Sequence, residues 1–514
     1  MPYICARENR MPNPELLEQA FNRAAGAPLI EGNRVRVLED ARENYPAWLE
    51  ALHGAERTIF FENYLYCEDE VGLEFQRALA AKARAGVRVR VIYDWLGSFG
   101  RASAGYWKTL RAAGAQVRCF NRPRVMSPFG VLHRDHRKML AVDGRIGFVT
   151  GLCVGRRWTG DPARGIEPWR DTGIEVRGPA LHDIEQAFAQ AWGAIDTPLP
   201  AEEQTQRESI PAAGTVALRI VASAPGVAAV LRVDQLVAAA ARRSLWLTDA
   251  YFAGIPPYVQ ALRSAARDGV DVRLLVPGAT DIPLIRPLSQ AGYRPLLEGG
   301  VRVFEWKGSM LHAKTAVADG RWARIGSSNL NIASWMGNFE LDAVIEDAAV
   351  AALMERMYLG DLERSTEIVL QQRRRFAALP YHRRQRVRFE GSGDPPLPAR
   401  RRRGSASRAA AGALRIGRTV SAALSEQRVL APTEARLVAG FGLALAALAA
   451  LVILWPLVAA VPAAILLVWA SLALFSKAAA LRRERRQQGL PRTRLVRSTP
   501  PSREQDGASR EDNT

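Results

Sequence analysis

Residues 136–144 read His-Arg-Lys-Met-Leu-Ala-Val-Asp-Gly, and residues 312–320 read His-Ala-Lys-Thr-Ala-Val-Ala-Asp-Gly. Both stretches have the pattern H-x-K-x4-D-G, and their starts lie 176 residues apart in the chain. One copy of so short a pattern would be a weak signal, because such motifs also arise by chance. Two copies in one chain indicate a duplicated unit that carries a histidine and a lysine in each half.

The sequence around the two motifs is repeated as well. Residues 81–93 resemble residues 264–276, and Val-Arg-Cys-Phe at 117–120 resembles Val-Arg-Val-Phe at 301–304. Each half reads as strand, helix, strand and a further strand, which is typical of α/β proteins. The repeat predicts two similar lobes within about 31–370. Each lobe is expected to be a mainly parallel sheet flanked by helices, with the active site at the lobe interface.

The spacing within the motif has a chemical consequence. Side chains alternate along a strand, so His136 and Lys138, like His312 and Lys314, are predicted to share a face. Lysine supplies positive charge for a phosphate, and one imidazole can attack phosphorus while the other protonates the leaving alkoxide. The alternative is two core histidines near surface lysines. We predict that His136, Lys138, His312 and Lys314 surround one phosphodiester.

Other residues near the motifs are candidates for the same site. Asp143 and Asp319 complete the motifs, either as catalytic groups or, as we favour, as turn residues that support the loop. Ser327 and Asn329 lie in a Gly-Ser-Ser-Asn stretch and are candidate phosphate donors. Asp171 and Glu340 follow the two histidines by 35 and 28 residues. Each is expected to accept a hydrogen bond from the imidazole of its own half.

Charge and hydropathy divide the rest of the chain. The net charge is +18, but residues 371–418 contribute +12 and the tail 477–514 contributes +5, so the body is nearly neutral. The basic runs suit an anionic membrane surface or a solvated linker. We predict an N-terminal segment at residues 1–30 and two lobes at residues 31–208 and 209–370. A largely disordered basic linker is expected at 371–437, an apolar hairpin at 438–476 and a disordered basic tail at 477–514.

The apolar segment 438–476 contains no charged residue. It is interrupted by Trp455-Pro456, so it is long enough for two helices that span the membrane or re-enter it. Arginine and lysine flank both ends, which places both ends in the cytoplasm. We therefore expect a protein of the bacterial inner membrane, with its catalytic body on the cytoplasmic side.

The twin motif, the Gly-Ser-Ser-Asn stretch and Trp-Arg-Asp-Thr-Gly-Ile-Glu-Val-Arg-Gly-Pro at 169–179 resemble the phospholipase D superfamily. The chain is most similar to bacterial cardiolipin synthases of the short form, which lacks N-terminal membrane helices, and the resemblance covers about residues 31–370. Glu62, after the first strand of the repeat, matches that family too and is expected to support the site. The sequence departs from the family pattern at Cys153, which stands where the first copy usually has Asn.

The resemblance implies a metal-free transfer in which one histidine carries the phosphatidyl group. By analogy, His136 is the nucleophile and His312 the acid and base. Phosphatidylglycerol, or another phospholipid, is the expected donor, phosphatidylglycerol is the acceptor, and cardiolipin is the product. The alternatives are a phospholipase D that uses water, a nucleic-acid phosphodiesterase and a non-catalytic membrane scaffold. The nearly neutral body argues against nucleic acid as a partner.

Overall fold

The computed structural model describes residues 14–123, 133–282 and 285–370, together with six helical positions at 443, 467–469 and 471–472. No helix among the described residues is long and apolar enough to cross a membrane. Apart from those six positions, the predicted basic linker, hairpin and tail lie outside the described residues.

The first half alternates strands and helices as the repeat predicts. Asp69 caps one of its helices by accepting a hydrogen bond from Gly72 N, and Gly86, with φ of +88°, follows that helix as predicted. The elements are β1 (Ile30–Glu39), α2 (Asp40–Gly54), β2 (Thr58–Asn63), α3 (Glu70–Arg84), β3 (Arg88–Asp94), α4 (Trp95–Ser98), α5 (Ala104–Ala112), β4 (Gln116–Phe120), β5 (Lys138–Val142), β6 (Ile146–Thr150), β7 (Thr172–Arg177) and α6 (Leu181–Gly193), preceded by α1 (Pro14–Ala25).

The second half repeats this series. Gly269, with φ of +94°, ends the helix that corresponds to α3. The elements are β8 (Val216–Ser223), α7 (Ala229–Ala240), β9 (Ser244–Thr248), α8 (Pro256–Arg267), β10 (Asp271–Pro277), α9 (Ile285–Glu298), β11 (Arg302–Trp306), β12 (Thr315–Ala318), β13 (Trp322–Gly326), β14 (Glu340–Glu346), α10 (Ala348–Glu363) and β15 (Ser365–Ile368).

All fifteen strands of the described body form one mixed sheet. Their order is β15-β11-β10-β9-β12-β13-β14-β8-β1-β7-β6-β5-β2-β3-β4. From the central β8–β1 pair outward, the two halves have the same strand order, which is the structural form of the repeat. The halves therefore share a single sheet, joined where β1 and β8 pair antiparallel.

The prediction of a mainly parallel sheet is wrong. Only β2–β3, β3–β4, β9–β10 and β10–β11 pair in parallel among the described strands, and the other neighbours are antiparallel. The physical reason lies at the end of each motif. Asp143 and Gly144, and likewise Asp319 and Gly320, adopt positive φ values. These dihedrals suit a tight hairpin, so β5 returns as β6 and β12 as β13.

The core ties the two halves together. One buried cluster contains Phe188 and Trp192 of α6 together with Ile325 and Leu341 of the second half. A large apolar side chain contributes about 1.5–3 kcal/mol when it is fully buried. Helix α1 also belongs to the body, because its Phe21 packs in the cluster that contains Val230, Val233 and Val237 of α7. The site between the halves is therefore held by a continuous core.

Candidate active site

Each motif histidine is attached by its backbone to the opposite half. His136 N donates to Phe339 O over 2.9 Å, and His312 N donates to Arg170 O over 2.7 Å. Phe339 directly precedes β14, and Arg170 lies just before β7, near the centre of the sheet on either side of the β1–β8 join. The two histidines are therefore brought together by the way in which the halves interlock.

The carboxylates are exchanged between the halves. His136 Nδ1 lies 2.9 Å from Glu340 Oε2, and His312 Nδ1 lies 2.7 Å from Asp171 Oδ2. The predicted partners within each half are therefore wrong: every imidazole is held by the carboxylate of the other half. Because Nδ1 is engaged in both rings, Nε2 is the nitrogen left for chemistry in the cavity.

Each carboxylate is itself held by hydrogen-bond donors. Trp158 Nε1 donates to Asp171 over 2.9 Å, whereas Ser327 Oγ donates to Glu340 over 2.6 Å and Asn338 adds a bond of 3.2 Å. Burial on its own raises the pKa of each carboxyl group, but the partner histidine, the nearby lysine and a hydrogen-bond donor together more than offset burial, so the pKa of both groups is lowered. Both therefore carry negative charge at neutral pH and fix the imidazole tautomers.

Burial lowers the pKa of both imidazoles, because a charged ring loses its hydration. The pKa of His312 falls to about 4, with the charge of Lys314 adding to the effect of burial. His312 is enclosed by Trp158, Trp169 and Tyr251, with ring centroids 5.5–5.8 Å away. These lowered pKa values favour neutral imidazoles at pH 7, so Nε2 is free to attack or to accept a proton.

The two lysines are buried beside their histidines. Lys138 Nζ donates to His136 O, and Lys314 Nζ donates to His312 O. Each ammonium also faces an aromatic ring, at 5.4 Å from the Tyr64 centroid for Lys138 and 5.7 Å from the Tyr251 centroid for Lys314. Lys138 lines the cavity. These cations lower the electrostatic cost of bringing an anionic phosphate into the buried site.

Asp143 and Asp319 do not belong to the reacting groups, which corrects their place in the predicted catalytic set. Asp143 accepts hydrogen bonds of 2.7–2.8 Å from the backbone N–H groups of residues 56–58. Asp319 accepts bonds of 2.7–3.0 Å from residues 242–244. The supporting role that we favoured is the one that the geometry gives: Asp143 ties its hairpin to the start of the neighbouring strand β2, and Asp319 ties its hairpin to the start of β9.

The two candidate phosphate donors have different surroundings. Ser327 is fully buried, donates to Glu340 and accepts from Leu341 N. It therefore positions a carboxylate and does not line the cavity, contrary to the prediction. Asn329 does line the cavity, and its Oδ1 has no hydrogen-bond partner among the described residues. Cys153 lines the same cavity at the matching place in the first half.

Glu62 lies in the layer beneath the site. It is fully buried, and its carboxyl group forms a side-chain hydrogen bond with that of Asp135. Burial, and next the charge of Asp135, raise the pKa of Glu62 well above its usual range. Its side chain is outside the cavity wall, so its predicted supporting role remains a prediction.

The catalytic groups open into one cavity of about 400 Å³. Both halves line it, through His136 and Lys138 on one side and His312 and Asn329 on the other. Sequence reasoning did not assign several wall residues to the site. The tyrosines gave a signal because they follow the repeated strands, and Trp169 gave one because it begins the 169–179 stretch that carries the resemblance. The missed side chains are Tyr64, Arg101, Arg157, Trp158, Trp169, Tyr251 and Asp281. Within the described ranges, no group of three or more His, Cys, Asp or Glu is arranged to hold a metal ion.

A duplicated α/β body with two histidine–lysine pairs at one cavity defines the phospholipase D-like class. A family model described as "Cardiolipin synthase, PLD-like domain" matches residues 48–192 and 236–361, which is more than half of the chain. The crystal structure of phosphatidylserine synthase from Haemophilus influenzae superposes with a TM-score of 0.52 at 15% identity, covering 68% of this chain and 92% of that one. This second likeness supports the fold alone.

The curated relatives narrow the class. The cardiolipin synthase of Halalkalibacterium halodurans is 32% identical over 367 residues, covering 70% of this chain and 72% of the relative. Cardiolipin synthase A of Pseudomonas aeruginosa is 32% identical over 358 residues, covering 69% and 72%. The chain belongs to the cardiolipin synthase family and is a phosphatidyltransferase of the phospholipase D superfamily. The resemblance seen in the sequence is thereby confirmed.

Proposed function

We propose that this enzyme makes cardiolipin and glycerol from two molecules of phosphatidylglycerol through a phosphatidyl-histidine intermediate. The observation that carries the proposal is that two histidines, each oriented by a carboxylate of the opposite half, share one cavity. A transferase of this kind needs one nitrogen to hold the phosphatidyl group and a second to move a proton. Family membership supports the choice of phospholipids as substrates.

In the first step, His136 Nε2 attacks the donor phosphorus, and the bond between phosphorus and the oxygen of the head-group glycerol breaks. His312 Nε2 gives that oxygen its proton. In the second step, the primary hydroxyl of the acceptor transfers its proton to His312 and forms the new P–O bond as the P–N bond breaks. An anionic phosphodiester raises the pKa of a nearby imidazole, so binding the donor favours the protonated His312 that the first step needs.

The order of the histidines follows the family analogy and has one structural support. The His136 side chain is 12% exposed and that of His312 is 6% exposed. The nucleophile has to reach phosphorus directly, which suits the more accessible ring. Trapping with acid during turnover tests the order: His312→Ala should retain a covalent phosphatidyl group, and His136→Ala should not. A phosphatidyl group trapped only in His136→Ala would reverse the assignment.

A membrane surface is the proposed location of the body. Large apolar side chains are exposed around the mouth of the cavity, namely Leu96, Phe99, Ile282, Ile332 and Met336. Leu96 and Ile282 line the cavity itself, so the acyl chains of a bound lipid would leave past them. We expect the double variant Leu96→Ser with Phe99→Ser to lose activity on vesicles and to retain it on short-chain, monomeric lipid. Equal activity on both would contradict this.

Phospholipid hydrolysis is the second candidate, because the same residues would act with water in place of the acceptor. The deciding assay uses the purified full chain in detergent–phosphatidylglycerol micelles, with lipids followed by mass spectrometry. We expect cardiolipin and glycerol from the wild type, and neither from His136→Ala or His312→Ala. Phosphatidic acid alone would establish the hydrolase instead. Lys108→Ala is the matched control, because Lys108 lies on an exposed part of α5, away from the cavity.

A further inference from the structure

One guanidinium in the cavity wall lacks a counter-ion in the described structure. Arg101 lines the cavity and is half-buried, yet it forms no ion pair or side-chain hydrogen bond with the described residues. A cation that is partly withdrawn from water without a partner is a binding group for an anion.

The backbone of Arg101 is held in place. Its N–H donates to Ser98 O over 3.1 Å, and its carbonyl accepts from Glu68 N over 2.8 Å. Gly100, with φ of +68°, makes the turn that returns the chain from the end of α4 towards the cavity. The guanidinium is therefore presented by a fixed turn, which reduces the conformational entropy that a ligand would otherwise have to overcome.

The other cations of the cavity already face carboxylates. At its base, Lys138 and Lys314 are matched by the buried Glu340 and Asp171. At its rim, Arg157 lies 3.5 Å from Asp281 and stacks on the Trp169 ring at 5.4 Å. The base is thus equipped for one phosphodiester, and Arg101 adds a separate positive charge in the same cavity.

We propose that Arg101 binds the phosphodiester of the acceptor phospholipid. This assignment rests on the proposed transfer reaction. The product of that reaction contains two phosphodiesters separated by one glycerol, and the histidines and lysines act on the first. The acceptor lipid brings the second, whereas water and free glycerol bring none. Arg101 thereby favours a lipid acceptor over water, so transfer to the lipid prevails over hydrolysis of the phosphatidyl-enzyme.

The test compares two acceptors that use the same phosphatidyl-enzyme. The full chain in phosphatidylglycerol micelles is assayed for cardiolipin formation and, separately, for exchange of radiolabelled glycerol into phosphatidylglycerol. In Arg101→Gln we expect the ratio of cardiolipin formation to glycerol exchange to fall about tenfold, the loss expected for one charge-assisted hydrogen bond. Arg101→Lys should restore part of the ratio, because it restores the charge without the planar fork. Arg77→Gln, on an exposed part of α3 and away from the cavity, is the control and should keep the wild-type ratio.

Two results would overturn the assignment while the proposed function stands. One is an unchanged ratio in folded Arg101→Gln. The other is an equal loss of both reactions, which would mean that Arg101 binds the donor phospholipid and not the acceptor. A wild type that exchanges glycerol but makes no cardiolipin would instead overturn the proposed function and the assignment with it. If the Gln variant does not fold, Arg101→Met, which keeps the apolar stem, decides by the same ratio.

Discussion

The two half-sites carry the same motif in different surroundings. His312 is packed among Trp158, Trp169 and Tyr251 and is held by the short Asp171. His136 is held by the longer Glu340, and of the aromatic rings in the described cavity wall only that of Tyr64 packs against it, at 5.0 Å. A more enclosed imidazole is harder to protonate, so duplication has produced two histidines with different basicity. This difference allows one catalytic pair to divide its roles.

The difference extends to the residues behind the carboxylates. Gly151 in the first half corresponds to Ser327 in the second. A Cβ atom at Gly151 would lie 2.1 Å from Asp171 Oδ1, so no side chain fits there. Asp171 instead receives its hydrogen bond from Trp158, while Glu340 uses Ser327. The two carboxylates are therefore positioned by different hydrogen-bond donors, and the half-sites share the motif but not the residues that support it.

The largest expected effect comes from replacing the two carboxylates that hold the histidines of the opposite half. Asp171→Asn and Glu340→Gln should each reduce cardiolipin formation by about 100-fold, the upper end for partners that orient a reacting group. A carboxylate stabilises the imidazolium, so removing it lowers the pKa of its histidine. NMR titration should show that Glu340→Gln lowers the pKa of His136 and leaves the pKa of His312 unchanged. Asp171→Asn should lower the pKa of His312 and leave that of His136 unchanged. A shift of His312 in Glu340→Gln would contradict the exchange.

An intermediate effect, on stability, is expected from the two motif aspartates. Each accepts three backbone hydrogen bonds, so Asp143→Asn and Asp319→Asn should lower the free energy of unfolding by about 1–3 kcal/mol. Asn tolerates the positive φ of these positions, so the substitution keeps the backbone and replaces one acceptor oxygen by an NH2 group, which cannot accept from a backbone N–H. Asp143 is buried and Asp319 is half-buried, so Asp143→Asn should lower the free energy of unfolding more than Asp319→Asn does. Urea denaturation measures the loss, and the folded variants should stay active within roughly threefold. Lost activity at unchanged stability would return these residues to the catalytic set.

The smallest effect concerns Cys153 and Asn329, which occupy matching places in the two halves. A thiol is a weaker hydrogen-bond donor than an amide, so the first half should hold the phosphate less firmly. Cys153→Asn should lower KM for phosphatidylglycerol by about two- to fivefold, and Asn329→Cys should raise it by a similar factor. Cys119→Ser, on β4 and away from the cavity, is the control. A KM that responds at neither position would show that this pair does not contact the phosphate.

Much of the site could be predicted because its groups repeat. The twin motif, the offsets between the halves and the Gly-Ser-Ser-Asn stretch led to His136, His312, their lysines and Asn329 from the sequence alone. The strand directions were less accessible, since strand–helix–strand units favour parallel pairing. The Asp-Gly pairs after each motif are a hairpin signal that could have revealed the antiparallel strands.

The sequence by itself determined the duplication, the reacting histidines and the class of chemistry, because these depend on residue types and spacing that a chain carries wherever it folds. Only the tertiary structure decided which carboxylate holds which histidine, why Asp143 and Asp319 face the backbone, and that Arg101 lines the cavity without an ion pair to any described residue. The physical reason is that a hydrogen bond depends on distance in space. Where strands of two halves meet at the centre of one sheet, residues about 140 and 200 apart in the chain become neighbours. Asp171 therefore pairs with His312, although His136 is much nearer to it in the sequence.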